Sequence, residues 1–174
     1  MGALYSGDVE IYEFKYPYFI VKLGLNQDSG GAGKWRGGLG VDYRWINEGS
    51  EGILIPIGDQ HIVSQPGVLG GKAAPLNRSY LTRANDKSKI DITRKEIFDL
   101  YPGDLVVAQT TGGAGVGDPL DRDPDVVRED VMNERVSVQK AKEDYGVVFV
   151  ADKWPYEIDY EGTERLRGEL RSQS

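Results

Sequence analysis

Up to residue 111 the chain is organised in short runs with the period of two that half-buried β-strands show. "VEIYEFKYPYFIVKLGL" is rich in β-branched and aromatic residues and is broken by Pro17. It predicts two strands, about 8–14 and 18–25, joined by a bend at Tyr16-Pro17. In "GVDYRWIN", Val41, Tyr43 and Trp45 share one face of a strand while Asp42 and Arg44 share the other. "EGILIPIGD" gives a further short strand, and "QPGVLGGKAAPLN" reads as a long loop. "SYLTRA", "KIDIT" and "DLVVAQT" add three more strands, with Pro102-Gly103-Asp104 as the turn before the last.

After Gly117 the period changes to that of helices. Asp123 is placed to cap a helix that has Pro124 at its first position, where the missing N–H costs nothing. Ser137 is placed to cap a second, which Gly146 ends in a left-handed turn. "GVVFVAD" predicts a final strand, and "TERLRGELRS" a charged helix capped by Thr163. The expected fold is mainly β, a sandwich or barrel of seven to nine short strands, with two or three short helices in the C-terminal third. It is expected as one domain over 1–174, with a β-rich glycine-loop core over 1–117 and a helical segment over 118–174 packed on it.

Composition narrows the chemistry. Twenty-eight acids against 21 bases give a net charge of −7, which disfavours nucleic acid as a partner. The acids crowd the last third, which reads as a solvated helical face. No run is long enough to span a bilayer and no signal-peptide pattern is present, so no membrane partner and a cytoplasmic location are expected. Without Cys there are no disulfides or thiolate ligands, and His61 is the only imidazole. A transition-metal site made by this chain alone is therefore not expected, and His61 reads as a hydrogen-bonding side chain. "GDQHIVS" offers no nucleophile elbow.

Of the 23 glycines, 13 fall in three clusters, at 30–40, 67–71 and 112–117. "DSGGAGKWRGGLG" has the Gly-Lys pair of a phosphate loop, but that motif needs glycine where Asp28 stands and a hydroxyl where Trp35 stands. A strand follows it, where the motif needs a helix. "TTGGAGVGDP" misplaces the third glycine of a dinucleotide loop and sets Asp118 where pyrophosphate would lie. No nucleotide or other cofactor is expected on this chain. The glycines then serve turns or close backbone packing. The polar residues among them are Asp28, Ser29, Lys34 and Arg36 in one cluster, and Asp118, Asp121 and Arg122 after the other. These either pair to hold the loops or face a partner. Trp35, Trp45 and Trp154 read as packing residues.

Four segments, "EFKYPYFIVKLGLNQDSGGAGKWRGGLGVDYRW", "GVLGGKAAPLN", "YPGDLVVAQTTGGAGVGDPLDRDPDVVREDV" and "SVQKAKEDYGVVF", resemble in order the C-terminal part of the hydantoinase B family. That family includes B-type halves of N-methylhydantoinase and 5-oxoprolinase and subunits of acetone and acetophenone carboxylases. The resemblance implies a two-part machine, in which an A-type subunit binds and hydrolyses ATP while the B-type part completes ring opening or carboxylation. ATP and a divalent metal are then expected elsewhere in the complex. The expected partners are the A-type subunit, the remainder of the B-type subunit and a small-molecule substrate. B-type subunits are several times longer, so this chain is expected to be a small subunit or a piece of a longer one, inactive alone. The resemblance assigns a possible active-site or interface role to Asp28, Ser29, Lys34, Arg36, Gly113, Gly115 and Asp118. A non-catalytic assembly module is the reading from another class.

Overall fold

The computed structural model of the protein describes residues 7–172. Among these residues seven strands form two antiparallel sheets. They are β1 (Tyr18–Leu25), β2 (Val41–Asn47), β3 (Gly52–Leu54), β4 (Arg78–Thr82), β5 (Lys89–Asp91), β6 (Phe98–Leu100) and β7 (Leu105–Gln109). The larger sheet has the order β1-β2-β7-β4-β5, and β3 pairs with β6 in the smaller one. Four helices complete the fold: α1 (Val9–Lys15), α2 (Pro124–Met132), α3 (Val138–Tyr145) and α4 (Tyr160–Ser172). The mainly-β architecture with C-terminal helices is the one the periodicity predicts.

Register explains the alternation. Trp45 faces Ile20 on β1 and Val106 on β7, and Leu81 of β4 faces Val106 from the far side. These apolar side chains share one face and are covered by Leu54, Phe98 and Leu100 of the small sheet, forming one core. Asp42 and Arg44 stand on the opposite face, as expected, and pair through two hydrogen bonds of 2.8 and 2.7 Å. The turn before β7 is held by buried Asp104. Its carboxylate accepts from the amides of Tyr101 (3.0 Å) and Ala84 (2.9 Å) and from Arg83 (2.6 Å). Gly103 takes the left-handed backbone that this turn requires, with φ of 81°.

A second core joins the helices to the glycine loops. Val127 and Val131 of α2, Ala141 and Tyr145 of α3, Val147, Phe149 and Ile158 close around Ala32. Asp123 caps α2, with Pro124 first, and Ser137 caps α3 by accepting the Lys140 amide. Gly146 ends α3 in the left-handed region.

Three expectations are corrected, and one strand is added. Residues 8–14 form no strand: Val9–Lys15 is a helix, stabilised where Tyr12 and Tyr16 stack one turn apart and where the Glu13 carboxylate accepts the Ile20 amide at 2.7 Å. "GVVFVAD" joins no sheet. Its Val148 amide goes to the Thr163 hydroxyl, and Phe149 makes only a single bridge to Ile158. Thr163 does not cap α4, which begins at Tyr160. Asp159 is the residue that accepts the Gly162 and Thr163 amides, and Thr163 is buried one turn inside. The short strand β6 lies in "EIFDL", too brief to register as a period.

Candidate functional site

The three glycine clusters, far apart in sequence, meet in space and bond backbone to backbone. The Gly31 amide donates to the Gly113 carbonyl (2.8 Å), and the Gly113 amide to that of Gly38 (2.9 Å). The Gly115 amide donates to Lys72 (3.0 Å), the Lys72 amide to Ala32 (2.7 Å), and the Val68 amide to Gly115 (3.1 Å). Trp35 and Val116 exchange both of their backbone bonds. The glycines are needed for this closeness. A Cβ on Gly37 would overlap the Gly113 carbonyl oxygen, and one on Gly115 would overlap that of Ala32. Of the two uses foreseen for glycine here, close backbone packing dominates, and within 28–40 the left-handed residue is Asp28, not a glycine.

This arrangement bears directly on anion binding. A phosphate cradle needs backbone N–H groups pointing into open space. Here the amides of Gly31, Lys34, Trp35, Gly112, Gly113, Gly115, Val116 and Gly117 donate to carbonyls of the neighbouring loops, and that of Gly37 to the Gly31 carbonyl of its own. These amides are therefore already committed and do not point into open space. Among the described residues no group of His, Cys, Asp and Glu side chains could hold a metal ion.

The proposed site residues divide into anchors and exposed groups. Asp28 ties the first loop to the start of α3, its carboxylate accepting the Ser137 amide at 2.8 Å. Ser29 is buried; its hydroxyl donates to the Asn26 carbonyl and accepts the Gly40 amide. Asp118 caps a single helical turn (Pro119–Asp121) by accepting the Leu120 amide at 2.8 Å. Gly113 and Gly115 are the backbone partners named above. Lys34 lies at the exposed outer side beside Trp35, whose side chain is 69% exposed. Its amide donates to the Gly117 carbonyl, which joins it to the Asp118 segment.

Arg36 behaves differently from Lys34. Its guanidinium grips buried Asp130 of α2 at two points, 3.0 and 3.2 Å, and donates to the Gly37 carbonyl at 2.6 Å. Arg122 donates to the same carboxylate at 2.8 Å and to the Lys34 carbonyl at 2.9 Å, while Arg135 approaches to 3.6 Å. Burial works to raise the Asp130 pKa, but Arg36 and Arg122 outweigh it and hold the carboxyl below its usual range. Beside it, burial pushes the Tyr145 hydroxyl up to about 12 despite the same two cations. Asp130 is the site residue that sequence reasoning missed. The acidic run reads as a solvated face, yet Val127, Asp130 and Val131 fall at one helical stripe, which places the carboxylate inward.

Comparison with known proteins agrees with this architecture. The family model for hydantoinase B/oxoprolinase matches residues 1–119. The uncharacterized protein MJ0963 of Methanocaldococcus jannaschii is 36% identical over 92% of this chain and 28% of its own length. The caprolactamase subunit beta of Pseudomonas jessenii is 34% identical over 84% of this chain and 26% of its own. Among solved structures, a nucleotide-free acetone carboxylase superposes with a TM-score of 0.83 and 26% identity, covering 96% of this chain and 26% of that one. The chain thus spans about a quarter of the length of the relatives it matches. By its sequence match and its fold, it belongs to the hydantoinase B/oxoprolinase family.

Proposed function

We propose that this chain is a subunit or C-terminal domain of an ATP-dependent cyclic amide hydrolase of the hydantoinase/5-oxoprolinase type. The observation that carries the reading is the family match over 1–119, together with 34% identity to a protein named for a lactam, a cyclic amide. The machine is completed by an A-type ATP-binding subunit and the remainder of the B-type polypeptide, in the cytoplasm. ATP and a divalent metal belong to those parts.

Within this reading the interlocked loops form a rigid wall, with Asp28, Ser29, Gly113, Gly115 and Asp118 holding its shape. Arg36 is neutralised by Asp130 and acts as a positioning residue. Lys34 is the cation left exposed, and it has no ion-pair partner among the described residues. It is suited to neutralise a phosphorylated intermediate or an acidic group of the partner, as cations do in phosphoryl chemistry.

The test mixes the chain with its A-type and B-type partners and assays ATP-dependent opening of hydantoin, 5-oxoproline or caprolactam. Lys34→Ala should lower the rate at least tenfold with assembly intact. ATP turnover without ring opening in the assembled complex would refute the hydrolase reading. A carboxylase subunit is the second reading, favoured by the superposition on acetone carboxylase; bicarbonate-dependent ATP turnover with a ketone would establish it. If Lys34→Ala leaves both assembly and rate unchanged, the role assigned to Lys34 is wrong; a chain that binds a larger partner but neither metal nor nucleotide would support the assembly-module reading.

A further inference from the structure

The apolar face of the large sheet is only half covered. At the end holding Trp45, Val106 and Leu81 the small sheet closes over it, and these residues are buried. Toward the other end the same face continues through Leu23 opposite Tyr43, Leu25 opposite Val41, and Ala108 opposite Tyr43. There α1 covers it only in part. A groove of about 430 Å³ opens instead, walled by Tyr12 of α1 and floored by Ile20, Leu23, Val41, Tyr43 and Ala108. The strand beside it, β1, is the outermost of the sheet, and Phe19 and Val21 are also half exposed. Phe14 of α1 is 91% exposed.

A strand that is apolar on both faces is suited to burial on both faces. An apolar edge strand left open is a pairing hazard that folded proteins cover or blunt. A contiguous exposed apolar surface therefore calls for an occupant. A second copy would bring together two chains that each carry −7. In the acetone carboxylase structure the same fold is about a quarter of a single long polypeptide, whose other three quarters have no counterpart here.

We propose that the groove between α1 and the open end of the β1-β2-β7 face seats an apolar segment from the remainder of a B-type polypeptide. The inference rests on the family reading above and adds to it the surface through which the two parts join. Tyr12, Leu23, Val41 and Tyr43 supply the contact, and the half-exposed face of β1 extends it.

The experiment uses the full chain and the remainder of its cognate B-type polypeptide, produced separately. Hydrogen–deuterium exchange of the unmodified chain should show new protection over 18–25, 41–43 and 108–110 when the remainder is added. Leu23→Glu and Val41→Glu should each weaken association at least 100-fold by calorimetry, while Arg165→Glu on α4 leaves it within threefold. Unchanged association with Leu23→Glu, or protection confined to other segments, would overturn the surface while leaving the family reading intact. Protection that rises with the concentration of the chain alone would overturn it in favour of self-association. Failure to bind any B-type remainder, with no ATP-dependent turnover restored, would remove both the surface and the reading beneath it.

Discussion

Arg36 in the first glycine loop and Asp130 in α2 form a two-point ion pair, Nε to Oδ2 at 3.0 Å and Nη2 to Oδ1 at 3.2 Å, across 94 residues of sequence. Arg122 shares the carboxylate, so one buried acid fastens the first loop, the segment after the last loop, and the helical core. A planar guanidinium fits such a double contact in a way an ammonium cannot.

Replacing Asp130 should be the most damaging polar change in the chain. Asp130→Asn leaves two inward arginines without their counter-charge, an arrangement that costs roughly 3–5 kcal/mol. Urea denaturation would read this as a lowered midpoint. Arg36→Lys keeps the charge but not the fork, and should cost about 1–2 kcal/mol.

The glycines should differ sharply from one another. Gly37→Ala and Gly112→Ala would drive a methyl into the carbonyls of Gly113 and Gly38 respectively, for a loss of about 3 kcal/mol or more. Gly38→Ala meets open space, and Gly113→Ala meets only ordinary contacts, the nearest at 3.6 Å. Both should stay within about 1 kcal/mol of the unmodified protein in the same denaturation assay.

Acid should loosen the sheet in a defined window. The Arg44 guanidinium bonded to Asp42 holds that carboxyl at about 2, against an ordinary 3.8, with Lys22 contributing at 2.9 Å. Because the folded value lies below the unfolded one, the pair's contribution is complete above roughly pH 4 and fades as pH falls toward 2. Asp130 and Asp104 are shifted in the same direction and add to the same acid loss. The Asp42→Asn variant should be less stable at neutral pH by on the order of 1–2 kcal/mol, a figure reduced for solvent around Lys22. Its stability curve should converge on that of the unmodified protein only as pH falls to about 2 and below.

Thr163 offers a buried-hydroxyl test. Its Oγ1 accepts the Val148 amide at 3.0 Å inside the helical core. Thr163→Val preserves shape and strands that amide, at a cost of about 1–2 kcal/mol by thermal melt.

How far the sequence was readable depends on what each element is made of. The β2 strand announced its faces because Val41, Tyr43 and Trp45 alternate with Asp42 and Arg44, and the helix caps at Asp123 and Ser137 are local chemistry. The α1 segment misled because its apolar residues also satisfy a strand pattern, while the Tyr12–Tyr16 stack that favours the helix is a spatial fact. Val147–Phe149 looks like a strand because it is apolar, but its burial is against helices and not within a sheet. The loop lattice was hidden for a deeper reason. Glycine has no side chain with which to write a period, so clustering marks that backbones come close without saying which ones meet.

That lattice also sets an order of events during synthesis. The Gly113, Gly117 and Val116 carbonyls that the amides of Gly31, Lys34 and Trp35 need all come after strands β2 to β7. The Arg36 partner, Asp130, comes later still. The first glycine loop must therefore wait, only partly paired, for these later segments. Truncation just before residue 112 should leave the first glycine loop its own internal bonds and the Lys72–Ala32 bond, but none of the partners from 113–117.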